Sequence, residues 1–149
     1  MQTFLPYKDF ARSAKVLDRQ RLGKQRVEGL QILQCLLGIG SLRWKNHPAV
    51  KMWKGAELYL AKYIIAVCDE WTSRGYKDTV KAKVEKIAVI EPMRSYLPPI
   101  WLGDTKFHRS HQSNLIRKLP VHYRQYFPTI SSHLPYVWPD GAPCQDEQE

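Results

Sequence analysis

The chain has 149 residues, a length that suits one domain built around a single hydrophobic core. Its 23 Lys and Arg outnumber 14 Asp and Glu and give a formal net charge of +9, which favours a polyanionic partner such as nucleic acid. An acidic membrane surface would attract the same charge. The longest purely apolar helical run, residues 63–68, is however far shorter than the roughly 18 residues that span a bilayer, and the first residues lack a secretory signal pattern.

The three cysteines are widely spaced and odd in number, so they predict neither a disulfide framework nor a CxxC metal site. Cys35 and Cys68 have apolar neighbours and are expected in the core, whereas Cys144 lies in a Pro- and Gly-rich tail and is expected to be exposed. This use of cysteine indicates a reducing, intracellular compartment.

The first predicted element is helical, from about residue 8 to residue 37, either as one long helix or as two abutting helices. Gly38-Ile-Gly40 supplies its stop. After a loop, Pro48 can open a second helix over about residues 49–74, which is apolar around much of its girth and should be the central helix of the fold. Gly55 inside it would mark a close helix crossing.

The second half of the chain predicts two more helices. One runs from Asp78 to Ile90 and must end before Pro92, and the other runs from Thr105 to Leu119, with a short turn after it. Strand periodicity is missing throughout. The sequence therefore predicts an all-α fold, a compact single-domain bundle over residues 1–142, followed by an acidic flexible tail over residues 143–149.

One segment breaks the helical pattern, because its apolar face turns polar. The apolar stripe at i, i+4 and i+7 consists of Phe10, Ala14 and Leu17, and it continues as Arg21, Gln25 and Glu28. Either the helix breaks near Gly23, with solvated charges on both flanks, or it passes through a polar site.

The cations concentrate in two segments. Residues 12–26 contain six Lys or Arg against one acid, and residues 105–139 contain no Asp or Glu at all. A surface that faces phosphates requires this depletion, because a carboxylate would repel them. The predicted DNA contacts are Arg19, Lys24, Arg26, His47, His108, Arg109, His111, Arg117, Lys118, Tyr123 and Arg124.

Two of these predictions have alternatives. Tyr123 lies among cations and is able to stack on a base, although core packing is the ordinary role of any single aromatic residue. His108 and His111 lie three residues apart and could bind a metal, but no third ligand occurs at a familiar spacing. Phosphate contact or helix capping is therefore favoured for the two histidines, and no metal site is predicted.

Several motifs together resemble the pyrimidine-dimer DNA glycosylase family, typified by the phage endonuclease V that excises ultraviolet photoproducts, and look like a bacterial and phage branch of it. The motifs are residues 2–7, Leu17-Asp18, residues 21–28, residues 46–53, Arg74-Gly-Tyr76, Trp101-Leu-Gly103, residues 108–111 and residues 134–139. The resemblance implies a compact all-α enzyme that binds duplex DNA and flips a base out of the stack. Its N-terminal α-amine would attack C1′ of the damaged nucleotide, assisted by a Glu on the first helix.

The chain departs from the family pattern at two places. In the characterised enzymes removal of Met exposes a Thr amine, whereas Gln2 is too large for ordinary Met removal, so the amine is expected on Met1. An alignment on Arg26-Val27 places Leu22 and Gly23 where the catalytic Glu falls, which leaves no carboxylate there.

A different carboxylate would have to substitute. Glu28 is the first candidate to stabilise or activate a nucleophile, with Arg21 holding phosphate or tuning the carboxylate. Asp18 is the second candidate, but it is expected rather as a structural partner of Arg21 or as a helix cap. Gln25 shares the face of Glu28 and Arg21, and Met1 would supply the amine. For Glu28 and Asp18 the plain alternative is an exposed helical ion pair that contributes only a few tenths of a kcal/mol.

The resemblance thus implies a DNA glycosylase that excises a damaged or modified pyrimidine, such as a pyrimidine dimer, from duplex DNA. Abasic-site lyase activity is a further expectation from it. We expect no cofactor, no membrane partner, a monomer, and a cytoplasmic, nucleoid-associated location. The alternatives are a non-catalytic basic DNA-binding module on the same scaffold and an enzyme that acts on RNA or a free nucleotide.

Overall fold

All regular structure is helical in the computed structural model, which describes residues 1–91, 93 and 98–139. The helices are α1 (Phe10–Val16), α2 (Arg19–Leu37), α3 (Pro48–Lys51), α4 (Glu57–Ser73), α5 (Val80–Ile90), α6 (Thr105–Lys118) and α7 (Pro120–Tyr123). The all-α prediction is confirmed. The predicted acidic tail, Cys144 and part of the extended segment after α5 lie outside the described residues.

The predicted first helix is two helices, and the break falls before Gly23. Leu17 has extended backbone, and Asp18 caps α2 by accepting a hydrogen bond from the Arg21 N–H at 3.3 Å. The α2 helix then continues through Gly23, where a Cβ atom would lie 3.1 Å from the Trp71 ring. The glycine permits a close approach of α4, and the polar stripe lies on an unbroken helix.

The central helix is shorter than its apolar pattern predicts. A single turn, α3, comes first, and Gly55 then turns the chain with a φ of 80° before α4 begins at Glu57. Gly55 is therefore a turn residue and not the site of a helix crossing. The α4 helix still occupies the middle of the fold, because it packs against α1, α2 and α5.

One hydrophobic core connects the helices, and the first residues of the chain are part of it. Residues 1–6, which we call the N-terminal segment, are not helical and run buried between α2, α4 and α6. Thr3 and Leu5 have no exposed surface. Cys35 and Cys68 are buried and unbridged, as predicted. No helix of the described part is long and apolar enough to cross a membrane.

Candidate active site

A cavity of about 180 Å³ opens where the N-terminal segment, α2 and the end of α6 meet. Four of the five residues predicted as catalytic line it: Met1, Arg21, Gln25 and Glu28. Two predicted DNA contacts, Lys24 and Lys118, line it as well. The ionisable side chains that line the cavity are thus three cations and one carboxylate, and this excess of positive charge suits a phosphate-bearing ligand.

The carboxylate of Glu28 contacts the first residues of the chain. The backbone N–H of Gln2 donates a hydrogen bond to Glu28 Oε2 at 3.2 Å. This contact joins residues 26 positions apart and brings the start of the chain to the carboxylate, and Met1 lines the same cavity as Glu28. A carboxylate next to an amine can accept a proton from it and can stabilise positive charge that develops on a bound sugar.

Gln25 holds the N-terminal segment in this place. It is 1 % exposed, its Nε2 donates to the carbonyl oxygen of Gln2 at 2.8 Å, and its Oε1 accepts from the N–H of Phe4 at 2.9 Å. The Tyr63 hydroxyl lies 2.7 Å from the same Oε1 and 2.8 Å from the Phe4 carbonyl oxygen. One side-chain amide thereby satisfies a backbone acceptor and a backbone donor, which fixes the register of the segment against α2.

His108 and His111 hold the next residue of the segment. The Leu5 N–H donates to His111 Nδ1 at 3.0 Å, and the Leu5 carbonyl oxygen accepts from His108 Nδ1 at 2.7 Å. The Gly103 N–H donates to His108 Nε2 at 2.9 Å, so each ring has one accepting nitrogen and is neutral. Burial lowers the pKa of His111 to about 3 and also lowers that of His108. Both are buried, so the structure gives them a place in the core and not on a DNA-facing surface.

Asp18 lies beside the cavity and orients Arg21. Its Oδ1 is 3.2 Å from Arg21 Nη1 and also accepts a hydrogen bond from the Tyr123 hydroxyl, whose oxygen accepts from the Asp18 N–H at 3.0 Å. Partial burial raises the pKa of Asp18, but the hydrogen bonds from Tyr123 and Arg21 outweigh burial and hold that pKa below its usual value. Tyr123 is fully buried with its ring stacked on Phe127, so its surface is not presented to a base.

Arg26, another predicted DNA contact, is engaged by protein groups. Its guanidinium pairs with Asp78 at 2.5 Å and lies 4.4 Å from the centre of the Trp71 ring, and only 14 % of the side chain is exposed. An arginine with both partners in place braces α2 against α4 and the start of α5.

Three further residues that were predicted to contact DNA form hydrogen bonds to the protein backbone. Arg117 donates to the carbonyl oxygens of Ser132 and Leu134, and Arg124 donates to that of Ile130. His47 caps α3 by accepting the Ala49 N–H. Four predicted cations remain, and all of them are exposed: Arg19, Lys24, Arg109 and Lys118. Arg109 lies away from the cavity, whereas the other three lie on the first turns of α2 or line the cavity.

Sequence reasoning missed two residues that shape the site. Tyr136 contacts the start of the chain through a hydrogen bond with Gln2, which lines the cavity. Burial raises the pKa of Tyr136 to about 12, whereas that hydrogen bond and the positive charges of Arg117 and Arg21 act to lower it. Tyr63 supports Gln25 from α4. Tyr136 belongs to the motif at residues 134–139, which was a signal, whereas nothing local distinguishes Tyr63 from a core aromatic residue.

The fold and the cavity define a small all-α protein with a cationic, carboxylate-containing site at the start of its chain. Residues 1–84 match the family described as pyrimidine dimer DNA glycosylase. Since the match covers 84 of 149 residues, the protein belongs to that family, and the resemblance in the sequence is confirmed. Its kind of function is that of a DNA glycosylase, a DNA-repair enzyme whose substrate is DNA. No curated protein and no solved structure matches the chain.

The matched residues include most of the site. The N-terminal segment, all of α2 and all of α4 lie within residues 1–84, whereas α6, with Lys118 and the two histidines, lies beyond them. In the part of the chain that the structure describes, no group of three His, Cys, Asp or Glu is placed to hold a metal ion.

Proposed function

We propose that the protein acts as a monomer on the cell's DNA, excising a damaged pyrimidine, in the first instance a pyrimidine dimer, with the cavity at Glu28 as the site of reaction. The observation that carries this proposal is the hydrogen bond of 3.2 Å from the Gln2 N–H to Glu28 Oε2. It supports the view that a carboxylate and the amine at the start of the chain act together. In this chain the carboxylate is on Glu28, about one and a half turns along α2 from the position near Gly23 at which the family pattern has its Glu.

The chemistry follows from these two groups. The amine nitrogen attacks C1′ as the N-glycosidic bond breaks, and the bonding electrons go to the base, which takes up a proton. The positive charge that grows on the sugar in this step is stabilised by the Glu28 carboxylate. The amine then forms an imine with the opened sugar, which acidifies the C2′ hydrogen and supports loss of the 3′ phosphate by β-elimination. This last step would be the lyase activity.

The rest of the cavity binds and orients. C1′ belongs to the deoxyribose and is crowded in a stacked duplex, so we expect a base to leave the stack before C1′ of the damaged nucleotide reaches Glu28. Arg21, Lys24 and Lys118 surround the carboxylate and would hold the flanking phosphates. Gln25 and Asp18 act as positioning residues, since the first fixes the N-terminal segment and the second fixes Arg21.

Incision of ultraviolet-irradiated supercoiled plasmid tests the proposal. The wild-type protein should release base and nick irradiated plasmid but not untreated plasmid. Glu28→Gln should lower the rate about 10²- to 10³-fold, the usual loss when one group that stabilises transition-state charge is removed. Glu85→Gln is the matched control, because Glu85 is exposed on α5 and far along the chain from the site.

Two results would contradict the proposal. One is a Glu28→Gln variant that nicks irradiated plasmid as fast as the wild-type protein. The other is binding that falls steeply with salt, does not distinguish damaged from intact DNA and is accompanied by no base release, which would identify a non-catalytic DNA-binding module.

A further inference from the structure

Residues 131–139, which the proposed chemistry does not use, lie against α6 and reach the start of the chain. They are not helical, and their backbone is held by side chains of α6. Arg117 donates a hydrogen bond to the Leu134 carbonyl oxygen at 3.0 Å, and Ser110 Oγ accepts one from the Val137 N–H at 3.3 Å. We call this stretch the 131–139 segment. It lies beyond the 84 residues that match the family.

Tyr136 lies between these two contacts, with its side chain against the N-terminal segment. The centre of its ring is 5.7 Å from that of His111, which accepts the Leu5 N–H, and 5.5 Å from that of Trp138. Its side chain forms a hydrogen bond with the side chain of Gln2. Burial raises the pKa of Tyr136 to about 12, so the phenol is neutral at physiological pH. Ring contacts on two sides therefore hold an uncharged phenol at Gln2.

Gln2 is held through its backbone and through its side chain, and it is only 9 % exposed. Its N–H donates to Glu28 at 3.2 Å, and its carbonyl oxygen accepts from Gln25 at 2.8 Å. Its Oε1 accepts the Thr3 N–H at 2.8 Å, and the fourth contact is the hydrogen bond with Tyr136. Of these four partners only Tyr136 lies outside the N-terminal segment and α2.

Tyr136 acts on the cavity through another residue. Met1, Gln2 and Glu28 line the cavity, whereas Tyr136 is not among its lining residues. A nucleophile must lie about 3–3.5 Å from the atom that it attacks, and a displacement of about 1 Å can cost about 10²-fold in rate. A contact that fixes Gln2 therefore affects the reaction without touching the DNA.

We propose that Tyr136 is a positioning residue, which through its hydrogen bond with Gln2 holds the amine at the start of the chain in place beside Glu28. The inference rests on the reaction proposed at Glu28. It makes the 131–139 segment part of the active site, although this segment contributes no group that reacts.

Single-turnover nicking of irradiated plasmid tests the proposal. Tyr136→Phe keeps the ring contacts and removes only the hydroxyl, so the maximal rate should fall about 3- to 10-fold, the effect of one ordinary hydrogen bond. The protein concentration that half-saturates the rate should change by less than about 2-fold, because the cations that would hold the phosphates are intact. Tyr126→Phe is the matched control, since Tyr126 is 42 % exposed and does not line the cavity.

Nuclear magnetic resonance gives a second readout, which does not depend on activity. In Tyr136→Phe the side-chain amide resonances of Gln2 should shift and its backbone amide should exchange faster. The Phe4 amide, which Gln25 holds at 2.9 Å, should exchange as in the wild-type protein. In a Gln2→Leu background Tyr136→Phe should lower the nicking rate no further, because its partner is already gone.

Two results would overturn the proposal. One is a Tyr136→Phe variant that nicks at the wild-type maximal rate. The other is a slower variant in which the Phe4 amide exchanges faster to the same degree as the Gln2 amide, which would assign Tyr136 to the stability of the core alone. Failure of the reaction at Glu28 is recognised separately, because the wild-type protein itself would then release no base, and this outcome would overturn both proposals.

Discussion

Replacing Gln25 with Leu should separate the start of the chain from Glu28. Leu has a similar size but no polar atoms, so the variant leaves the carbonyl oxygen of Gln2 and the N–H of Phe4 without their partner. The Tyr63 hydroxyl is not orphaned, because the Phe4 carbonyl oxygen lies 2.8 Å from it. Two buried backbone groups remain, each worth about 1–3 kcal/mol, which predicts a loss of about 4 kcal/mol in total.

This loss is a large share of the roughly 5–15 kcal/mol by which a domain is stable. The protein can relieve it in one way, by letting the N-terminal segment leave α2. When the segment leaves, Gln2 no longer lies beside Glu28, so nicking of irradiated plasmid should fall about 10-fold or more even at temperatures where the helices remain folded. Hydrogen exchange at the Phe4 amide should accelerate by a similar or greater factor.

Urea unfolding, plasmid nicking and amide exchange together check this prediction. Gln31→Leu is the matched control, since Gln31 is exposed on the same helix and should change none of the three. The reasoning would be refuted if Gln25→Leu nicked at the wild-type rate while its Phe4 amide exchanged as slowly as in the wild-type protein.

Two further predictions concern the residues that support the site. The pKa of His111 is about 3 in the folded chain and 6.5 in the unfolded chain, so between these pH values the unfolded state binds one more proton. The contribution of His111 to the free energy of unfolding should therefore be fully present above about pH 6.5. It should fall toward pH 3 by up to about 1.4 kcal/mol per pH unit. His111→Asn, which cannot titrate, should flatten that part of the urea-unfolding profile, and an unchanged slope would contradict the assignment. Asp18→Asn removes the charge that orients Arg21, so it should raise KM for irradiated DNA several-fold with a smaller change in kcat. An unaltered KM in steady-state nicking assays would show that Asp18 only caps α2.

Periodicity was sufficient to predict the helices of the second half of the chain. The observed α5 and α6 end within one residue of their predicted limits. Glu91 and Leu119 each precede a proline in the sequence, and a residue in that position is disfavoured in helical backbone. Asp104 caps α6, because its side chain accepts a local hydrogen bond from the Lys106 N–H. Signals of this kind act over a few residues and can be found in a sequence.

The geometry of the site depends on contacts between residues that are far apart in the sequence, and no local pattern shows such contacts. Leu5 and His108 are 103 positions apart, and Arg26 and Asp78 are 52 apart. A basic composition does not show which cation has a buried partner, so Arg26 and Lys24 look equivalent in sequence although only the second is exposed. The polar stripe was the exception, because polar residues at core spacing on α2 indicated the cavity before any contact was known.

The break at Asp18 shows how two local signals compete. Gly23 weakens a helix by about 1 kcal/mol and was the predicted position of a break, whereas Asp18 was expected as a helix cap or as a structural partner of Arg21. The structure places the break at Asp18 instead, since a capping aspartate at the start of α2 ends one helix and begins another. Gly23 is used for its small size against Trp71, and that requirement comes from α4.

Borohydride trapping followed by peptide mapping tests the central claim most directly. The protein is incubated with a duplex that contains one thymine dimer, reduced and digested with trypsin, and the peptide that carries DNA is identified by mass. The account predicts a covalent product on the peptide of residues 1–8, at its N-terminal amine, and no such product from Glu28→Gln. DNA attached to Lys24 or Lys118, or base release with no covalent product at all, would contradict it.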